Sequence, residues 1–458
     1  MSRLAPLSGF PEWTPAERLV EAHVIDRLRE VFELHGFAQI ETRAVEPLER
    51  LGGEAEASKE VYALTRRGGE SAEFGLHFDL TVPFARYVEE RQGHLAFPFR
   101  RYQIQKVWRG ERPQEGRFRE FYQADIDVVA RENLPAHLEA EIAVVMARAL
   151  GSLDLPPARM RMNDRRLVEG FYRGVGVTDV AGALRSVDKL GKIGPEGVTK
   201  ELISQGVSDS AADAILHLAR IRSADASLNE AVLDLWETTP THHDDEAQKL
   251  MAEGLAALGA LVEAVNAAVP GTAEADLSIA RGLDYYTGAV YETTLEGHED
   301  LGSICSGGRY DSLVAGGGFP GVGMSIGVSR LVSRLVSRGM LVATRSVPSA
   351  VLVAVMDEET RAVSQSIADR LRARGIACEV SPSAAKFGKQ IQYADRRGIP
   401  FVWFPAADGD GALGDGAVGD GANGDGEVKD IRSGEQVPAD ADAWAPPAED
   451  LKPRVVRG

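Results

Sequence analysis

Val107-Trp108-Arg109-Gly110-Glu111-Arg112-Pro113 runs as alternating residues into a turn, and Arg117-Phe118-Arg119-Glu120-Phe121-Tyr122-Gln123-Ala124-Asp125-Ile126-Asp127-Val128 alternates again. Strand side chains two apart share a face. The stretch therefore predicts two strands joined by a short loop, with Arg109, Gln123 and Asp127 spaced to share one face. From Arg100 to Arg119 seven cations (Arg100, Arg101, Lys106, Arg109, Arg112, Arg117, Arg119) stand against only Glu111 and Glu115. In a chain of net charge −18, one basic site fits selective anion binding better than general coating of nucleic acid. A solvated helix face would intermix acids at i+4, and here they are sparse.

Outward from this hairpin, Thr14-Pro15-Ala16-Glu17 forms a capping box. Val20, Val24, Leu28, Val31 and Phe32 follow at helical spacing, with Gly36 as the stop. Phe37–Thr42 alternates as a strand, and residues 60–130 suggest short strands of an antiparallel sheet. Residues 135–270 are helix-rich, as in Ala211–Ile221 and Ala247–Val269, and strand character returns from Leu277 to Gly327. That return implies a helical insertion (171–270) inside one sheet domain (1–170 and 271–335); two separate domains are the simpler alternative. After a linker at Val347-Pro348-Ser349, residues 347–458 alternate strand and helix: Val351–Met356, Glu358–Arg374, Ile376–Val380, Lys386–Arg397, Phe401–Phe404. This pattern points to a small α/β domain with a largely parallel sheet. A Gly-Asp tract at 408–426 has a period of five, unlike the nine-residue calcium repeats, and reads as a solvated loop. The strand-like Glu427–Arg432 resumes after it.

With 458 residues, 44% hydrophobic and 26% charged, composition is that of an ordinary globular protein of about three domains. No apolar run approaches the ~20 residues of a membrane span, and Met1–Leu7 lacks a secretory core, so a cytoplasmic protein with no membrane or DNA partner is expected. Cys305 and Cys378 are too few for a disulfide framework or a cysteine-rich zinc site. His242-His243-Asp244-Asp245 has metal-ligand chemistry, but adjacent side chains point apart; a polar turn is the favoured reading, and no resident metal site is expected. No Gly-x-x-x-x-Gly-Lys-Ser/Thr loop occurs, and Pro320 interrupts the Gly-x-Gly-x-x-Gly match at Gly316–Gly321. If ATP is used, side-chain cations must hold its phosphates.

A second constellation is Arg281-Gly282-Leu283-Asp284-Tyr285-Tyr286-Thr287-Gly288, followed by the strand-like Ala289-Val290-Tyr291-Glu292. A cation, a carboxylate and two phenols fenced by glycines suit the grip of a small, charged and polar ligand. This loop, with Ser303-Ile304-Cys305-Ser306-Gly307-Gly308-Arg309-Tyr310-Asp311 and Phe78-Asp79-Leu80-Thr81, resembles the histidine pocket of histidyl-tRNA synthetases. The hairpin resembles motif 2 of class II aminoacyl-tRNA synthetases, Gly323–Leu331 resembles motif 3, and residues 16–42 resemble the motif 1 dimer element, with Ala44 where the family usually has proline. Ala385–Gln390 resembles the family's anticodon-binding domain. The resemblance covers essentially the whole chain apart from the Gly-Asp tract.

The fold it implies is α+β: an antiparallel-sheet catalytic core with a helical insertion, then an α/β anticodon-binding domain. The activity it implies is ATP-dependent formation of histidyl-adenylate and transfer of histidine to the 3′ end of tRNA(His) by a homodimer. By resemblance, Arg109 and Arg281 flank the α-phosphate and the histidine carboxylate, with Gln123 completing the catalytic set. Arg330 holds the γ-phosphate, Phe118 stacks on adenine near Glu111, and Mg2+ bridges the β and γ oxygens. Neutral imidazole offers one donor and one lone pair; Asp127 can accept and the Tyr286 hydroxyl donate. Asp79, Thr81 and Gln123 suit the α-ammonium, while Leu80, Tyr285 and Tyr310 complete the pocket. Many relatives carry glutamate where Asp79 and Asp127 stand. Pairing both ring nitrogens can reject apolar isosteres by roughly 10⁴–10⁵, so no editing domain is required, and the insertion is read as a tRNA-acceptor clamp. Arg117, Lys386 and Lys389 are candidate tRNA contacts.

Plainer readings stay open. Asp284 can simply brace its loop, Arg309 and Asp311 can be a structural ion pair, and Tyr285 and Tyr310 can be half-buried core. Lys386, Lys389, Arg396 and Arg397 can be a solvated face. Two functional alternatives are a histidyl-synthetase-like regulatory subunit of ATP phosphoribosyltransferase, and a class II synthetase for glycine, proline or threonine.

Overall fold

In the computed structural model, which describes residues 6–51, 60–69, 71–240, 244–280, 286–312, 317–406 and 425–458, the capping box opens the helix Pro15–Leu34. The Thr14 N–H donates to the Glu17 carboxylate at 2.7 Å. Gly36, at φ +76°, ends the helix in a conformation only glycine adopts freely. Val24, Leu28 and Phe32 form its buried stripe.

Two compact units follow, one built on residues 6–11 and 24–334 and the other on 12–23 and 335–458. The first is organised by a nine-stranded sheet. Its spatial order is Ala38–Gln39, Phe99–Trp108, Glu120–Val129, Gly321–Gly327, Cys305–Tyr310, Tyr286–Leu295, Ala158–Asp164, Ala273–Asp276, Arg222–Ser223. The central strands pair antiparallel. Ala38–Gln39 joins the edge in parallel, as Ala273–Asp276 joins Ala158–Asp164.

Between Ala158–Asp164 and Ala273–Asp276 the chain forms the helices Arg165–Gly174, Val180–Val187, Leu190–Ser204, Asp209–Leu218, Ser227–Thr238 and Asp245–Ala268. The last has 24 residues, and its most apolar 18-residue stretch has a mean hydropathy of 1.4, enough to cross a membrane by length and composition alone. Charged residues at Asp245, Glu246, Lys249, Glu253 and Glu263 interrupt it, so it is not an unbroken apolar run. Its Ala, Leu and Val content serves a different contact. A Cβ on Gly254 would lie 2.2 Å from the Leu167 backbone nitrogen, and one on Gly170 would lie 2.4 Å from that of Met251. The two helices therefore touch backbone to backbone, and Met251, Leu255, Leu258 and Val262 are buried.

Two further expectations change. Residues 60–130 are not all strand, because Thr81–Arg91 is a helix with Phe84, Ala85 and Val88 buried. Asp79 accepts from the Val82 N–H at its start. The strand expected at Phe37–Thr42 is only Ala38–Gln39, a parallel edge.

The second unit carries a five-stranded sheet ordered Cys378–Val380, Val351–Val353, Phe401–Pro405, Gly426–Asp430, Gln436–Ala439. The first three are parallel and the last two add antiparallel. Arg361–Ala373 and Phe387–Arg397 are the expected helices, the second capped by Gly398 at φ +71°. Val351, Val353, Ile367, Leu371 and Trp403 form the core. Most of the Gly-Asp tract, residues 407–424, lies outside the described residues, as do His242 and His243.

Candidate active site

Period two along Glu120–Val129 places Gln123, Asp125 and Asp127 on one face. The next strand in the sheet sets Gly327, Ser325 and Gly323 opposite them. The glycines are required by contact. A Cβ on Gly323 would sit 2.1 Å from Asp127 Oδ1, on Gly321 2.5 Å from the Tyr310 ring, and on Gly308 2.7 Å from the Tyr286 ring. Their missing side chains open a pocket lined by Thr81, Asp125, Asp127, Tyr286, Ser306 and Tyr310, among others.

The floor of this pocket is charged and buried. Asp127 Oδ2 lies 2.6 Å from Arg101 Nη2, with both side chains at most 3% exposed. Asp127 Oδ1 accepts from the Tyr310 hydroxyl at 2.8 Å. Arg101 also lies over the Phe84 ring at 4.3 Å and donates to the Leu80 carbonyl at 3.4 Å. Asp125 accepts from the Ser325 hydroxyl, and Ser325 Oγ accepts from Gln123 Nε2 at 2.7 Å. Asp79 Oδ2 and Gln123 Oε1 are buried with no hydrogen-bond partner among the described residues.

Burial pushes the carboxyls of Asp79 and Asp127 up to about 7 and that of Asp125 up to about 6. Arg101 pulls all three down, and Asp125 raises both of the others. Orphaned acceptors among three crowded carboxylates suit a ligand that brings N–H donors and positive charge.

Beside this acceptor-rich pocket lies a cationic cluster. Arg109 Nε donates to the Phe78 carbonyl at 2.9 Å, and its guanidinium lies over Phe121 at 5.2 Å. Glu111 is 3.1 Å from Arg117 and 4.0 Å from Arg109. Arg330 donates to the carbonyls of Gly116 and Ser303. Burial, then the Arg117 and Arg109 charges, lower the Arg330 pKa. Three guanidinium groups thus share one carboxylate, an arrangement that a polyanion would complete. Phe118 is half-buried in the same loop.

Of the residues expected to bind histidine, Thr81, Asp127, Tyr286 and Tyr310 line one pocket. Gln123 joins it through Ser325, and Asp79 feels the Asp125 and Arg109 charges. Arg109, Glu111, Arg117 and Arg330 form the neighbouring cluster. Arg281, Asp284 and Tyr285 lie outside the described residues.

Leu80 has a fully buried side chain, and its carbonyl accepts from Arg101. The basic run is a correction. Arg100 pairs with Glu141, Lys106 with Glu120, and Arg101 lies under Asp127, because the paired strand and the helix His137–Gly151 bring acids that the linear count omits. Arg309 pairs with Glu139 at 2.8 Å and with Asp311 at 3.1 Å, an ion-pair network. Lys386 and Lys389 are exposed at the start of Phe387–Arg397 in the second unit.

Arg101, Asp125 and Ser325 were not anticipated. The signal was present in part, since Arg101 and Asp127 are register partners in the hairpin and Asp125 lies two residues before Asp127.

The family model described as "Histidyl-tRNA synthetase" matches residues 9–331, and one described as "Anticodon binding domain" matches residues 350–404. The chain belongs to the histidyl-tRNA synthetase family. Its similarity to the histidine–tRNA ligase of Micrococcus luteus is 56% identity over 475 aligned positions, covering 100% of this chain and 99% of the relative. The Cutibacterium acnes enzyme is 55% identical over 100% and 99%. The crystal structure of histidyl-tRNA synthetase from Nostoc sp. PCC 7120 superposes with a TM-score of 0.78 at 34% identity, over 96% of this chain and 98% of that one. A structure named as an ATP phosphoribosyltransferase regulatory subunit/histidyl-tRNA synthetase, from Bacillus halodurans C, gives 0.69 at 20% identity, over 86% of this chain and 97% of that one. That likeness is one of fold alone. As a histidyl-tRNA synthetase family member, the chain has the expected α+β class II architecture, and the regulatory-subunit alternative is not favoured.

Proposed function

We propose that the acceptor-rich pocket holds L-histidine and that the arginine cluster beside it holds ATP, so that the chain forms histidyl-adenylate and passes histidine to tRNA(His). The observation that carries this reading is Asp127, a buried carboxylate held by Arg101 and Tyr310 on the pocket floor. It accepts from an imidazole N–H, while the Tyr286 hydroxyl serves the other ring nitrogen. Asp79, Thr81 and Gln123 take the α-ammonium; the orphaned oxygens of Asp79 and Gln123 support that role.

The histidine carboxylate and the α-phosphate repel one another. Arg109 and Arg281 lower that repulsion and align attack on phosphorus, a reaction governed mostly by positioning and electrostatics. Arg117 and Arg330 take the remaining phosphate charge, and Phe118 stacks on adenine near Glu111. Among the described residues no group of three or more His, Cys, Asp or Glu side chains could hold a metal ion. Mg2+ carried in on the nucleotide would offset phosphate charge beside Arg109, Arg117 and Arg330. Pyrophosphate leaves in the attack on phosphorus; the 3′-hydroxyl of tRNA then attacks the carbonyl of histidyl-adenylate, whose bond to the phosphate oxygen breaks as AMP leaves. The core (1–170 and 271–335) performs both steps. The helical insertion (171–270) holds the acceptor stem, and residues 347–458, with Lys386 and Lys389, read the anticodon. The working form is a cytoplasmic homodimer.

Histidine-dependent exchange of pyrophosphate into ATP, followed by charging of tRNA(His), tests the reading. Exchange with histidine and with no other amino acid is expected. Absence of exchange from folded protein would return the regulatory-subunit reading.

A further inference from the structure

The hydrogen-bond chain Gln123–Ser325–Asp125 has a direction. An ionised carboxylate can only accept, so the Ser325 hydroxyl must spend its one proton on Asp125. Its oxygen is then left to accept, and it takes Gln123 Nε2–H at 2.7 Å. That choice fixes the amide: Nε2 faces Ser325 and Oε1 faces away. Gln123 is 9% exposed, and Oε1 is buried with no hydrogen-bond partner among the described residues. Asp125 and Ser325 are cross-strand neighbours, and both line the pocket.

We propose that Asp125 is a positioning residue for histidine recognition, holding the Gln123 amide through Ser325 so that its carbonyl oxygen, not its NH2, meets the substrate ammonium. This rests on the histidine reading above and assigns a role to a carboxylate that the reading leaves unused. Asp125 is pushed up to about 6, chiefly by burial, so at pH 8 it is the ionised acceptor the argument needs. The charged groups acting on it are Arg101 and Arg109, while it acts in turn on Asp79 and Asp127.

Asp125→Asn keeps the shape but supplies an NH2 donor. The chain can then reverse: Ser325 accepts from the new amide and donates to Gln123 Oε1, turning Nε2 toward the ammonium. The test measures pyrophosphate exchange at pH 8 with three ligands on wild type and variant. Histidine is the substrate, histidinol is an inhibitor that keeps the ammonium, and 3-(imidazol-4-yl)propionate is an inhibitor that lacks it. A lost hydrogen bond to a charged group corresponds to a rise of roughly 10- to 100-fold in the histidine KM and in the histidinol inhibition constant. The imidazolepropionate constant should not move. Equal weakening of both inhibitors, or an unchanged histidine KM, would overturn the proposal. Should Asp125→Asn fail to fold, Ser325→Ala serves: it severs the relay without reversing it, so a smaller loss confined to the ammonium-bearing ligands is expected, and a loss shared by all three refutes. Wild-type exchange with histidine in the same experiment separates failure of this proposal from failure of the underlying activity.

Discussion

Arg101→Met removes the cation beneath the pocket floor, and the structure sets the size of the response. Arg101 Nη2 and Asp127 Oδ2 are 2.6 Å apart and both side chains are buried. Removing one member of such a pair costs about 3–5 kcal/mol when the other stays charged. Asp127 has an escape. Burial already lifts its carboxyl to about 7 against the pull of Arg101; without that pull it rises further and is protonated near neutral pH. The native state then binds a proton that the unfolded chain releases. Stability is therefore kept at low pH and lost as pH rises through the native pKa. The variant should melt only modestly below wild type at pH 6 and much further below it at pH 8.5. A neutral Asp127 also forfeits its charge-assisted bond to imidazole, worth about 1.5–3 kcal/mol, or roughly a ten- to hundredfold rise in histidine KM at pH 7.5. Thermal melts across pH and histidine-dependent pyrophosphate exchange measure both effects. Adding Asp127→Asn should restore most of the stability but not the KM, since the buried charge is gone. An Arg101→Met protein with wild-type melting at every pH and wild-type KM would refute the reasoning.

Three further outcomes are expected. Gly323→Ala puts a methyl group 2.1 Å from Asp127 Oδ1. Because Arg101 and Tyr310 hold that carboxylate, the crowding should cost about 1–3 kcal/mol and raise the histidine KM while leaving that for ATP unchanged; a wild-type melt and KM would mean the carboxylate moves freely. In unliganded wild type, Asp79, Asp125 and Asp127 are all raised by burial, so their contribution to stability is lost as pH climbs from about 4 to about 7. Calorimetry of Asp127→Asn should show a shallower fall in melting temperature from pH 5 to pH 8 than wild type, and an identical slope would contradict the assignment. Replacing residues 408–424 with a short turn should leave charging and melting intact. Pro405 already pairs with Gly426, the Ala406 N–H reaches the Asp425 carbonyl at 3.0 Å, and loop length changes closure entropy only slowly. Loss of tRNA charging with normal exchange would give that segment an RNA contact.

What could be read in advance was what repeats along the chain. The capping box, the stripe Val24-Leu28-Phe32 and the alternation of Phe121–Val128 each state their own geometry, and the helix and hairpin stand where those patterns put them. Thr81–Arg91 was hidden because Pro83 and a short apolar stripe sit among strand-like residues. Arg101 was counted into one basic, anion-binding site because its sign is local while its partner is 26 residues away; only cross-strand register brings Asp127 over it. Asp125 was passed over beside Asp127 because its role depends on Ser325, some two hundred residues later. Pairwise chemistry between distant segments is the part that composition and periodicity do not encode.

Where glycines line this pocket, its wall is main chain and behaves differently from the side-chain wall around it. Rotamers can swing aside to admit a bulkier guest; a hydrogen-bonded ladder with neighbours on both edges has no such freedom. Where Gly307 faces the Gly323 carbonyl, even a methyl would come within 2.1 Å. That part of the wall is main chain paired on both edges, so it cannot turn aside as a rotamer can.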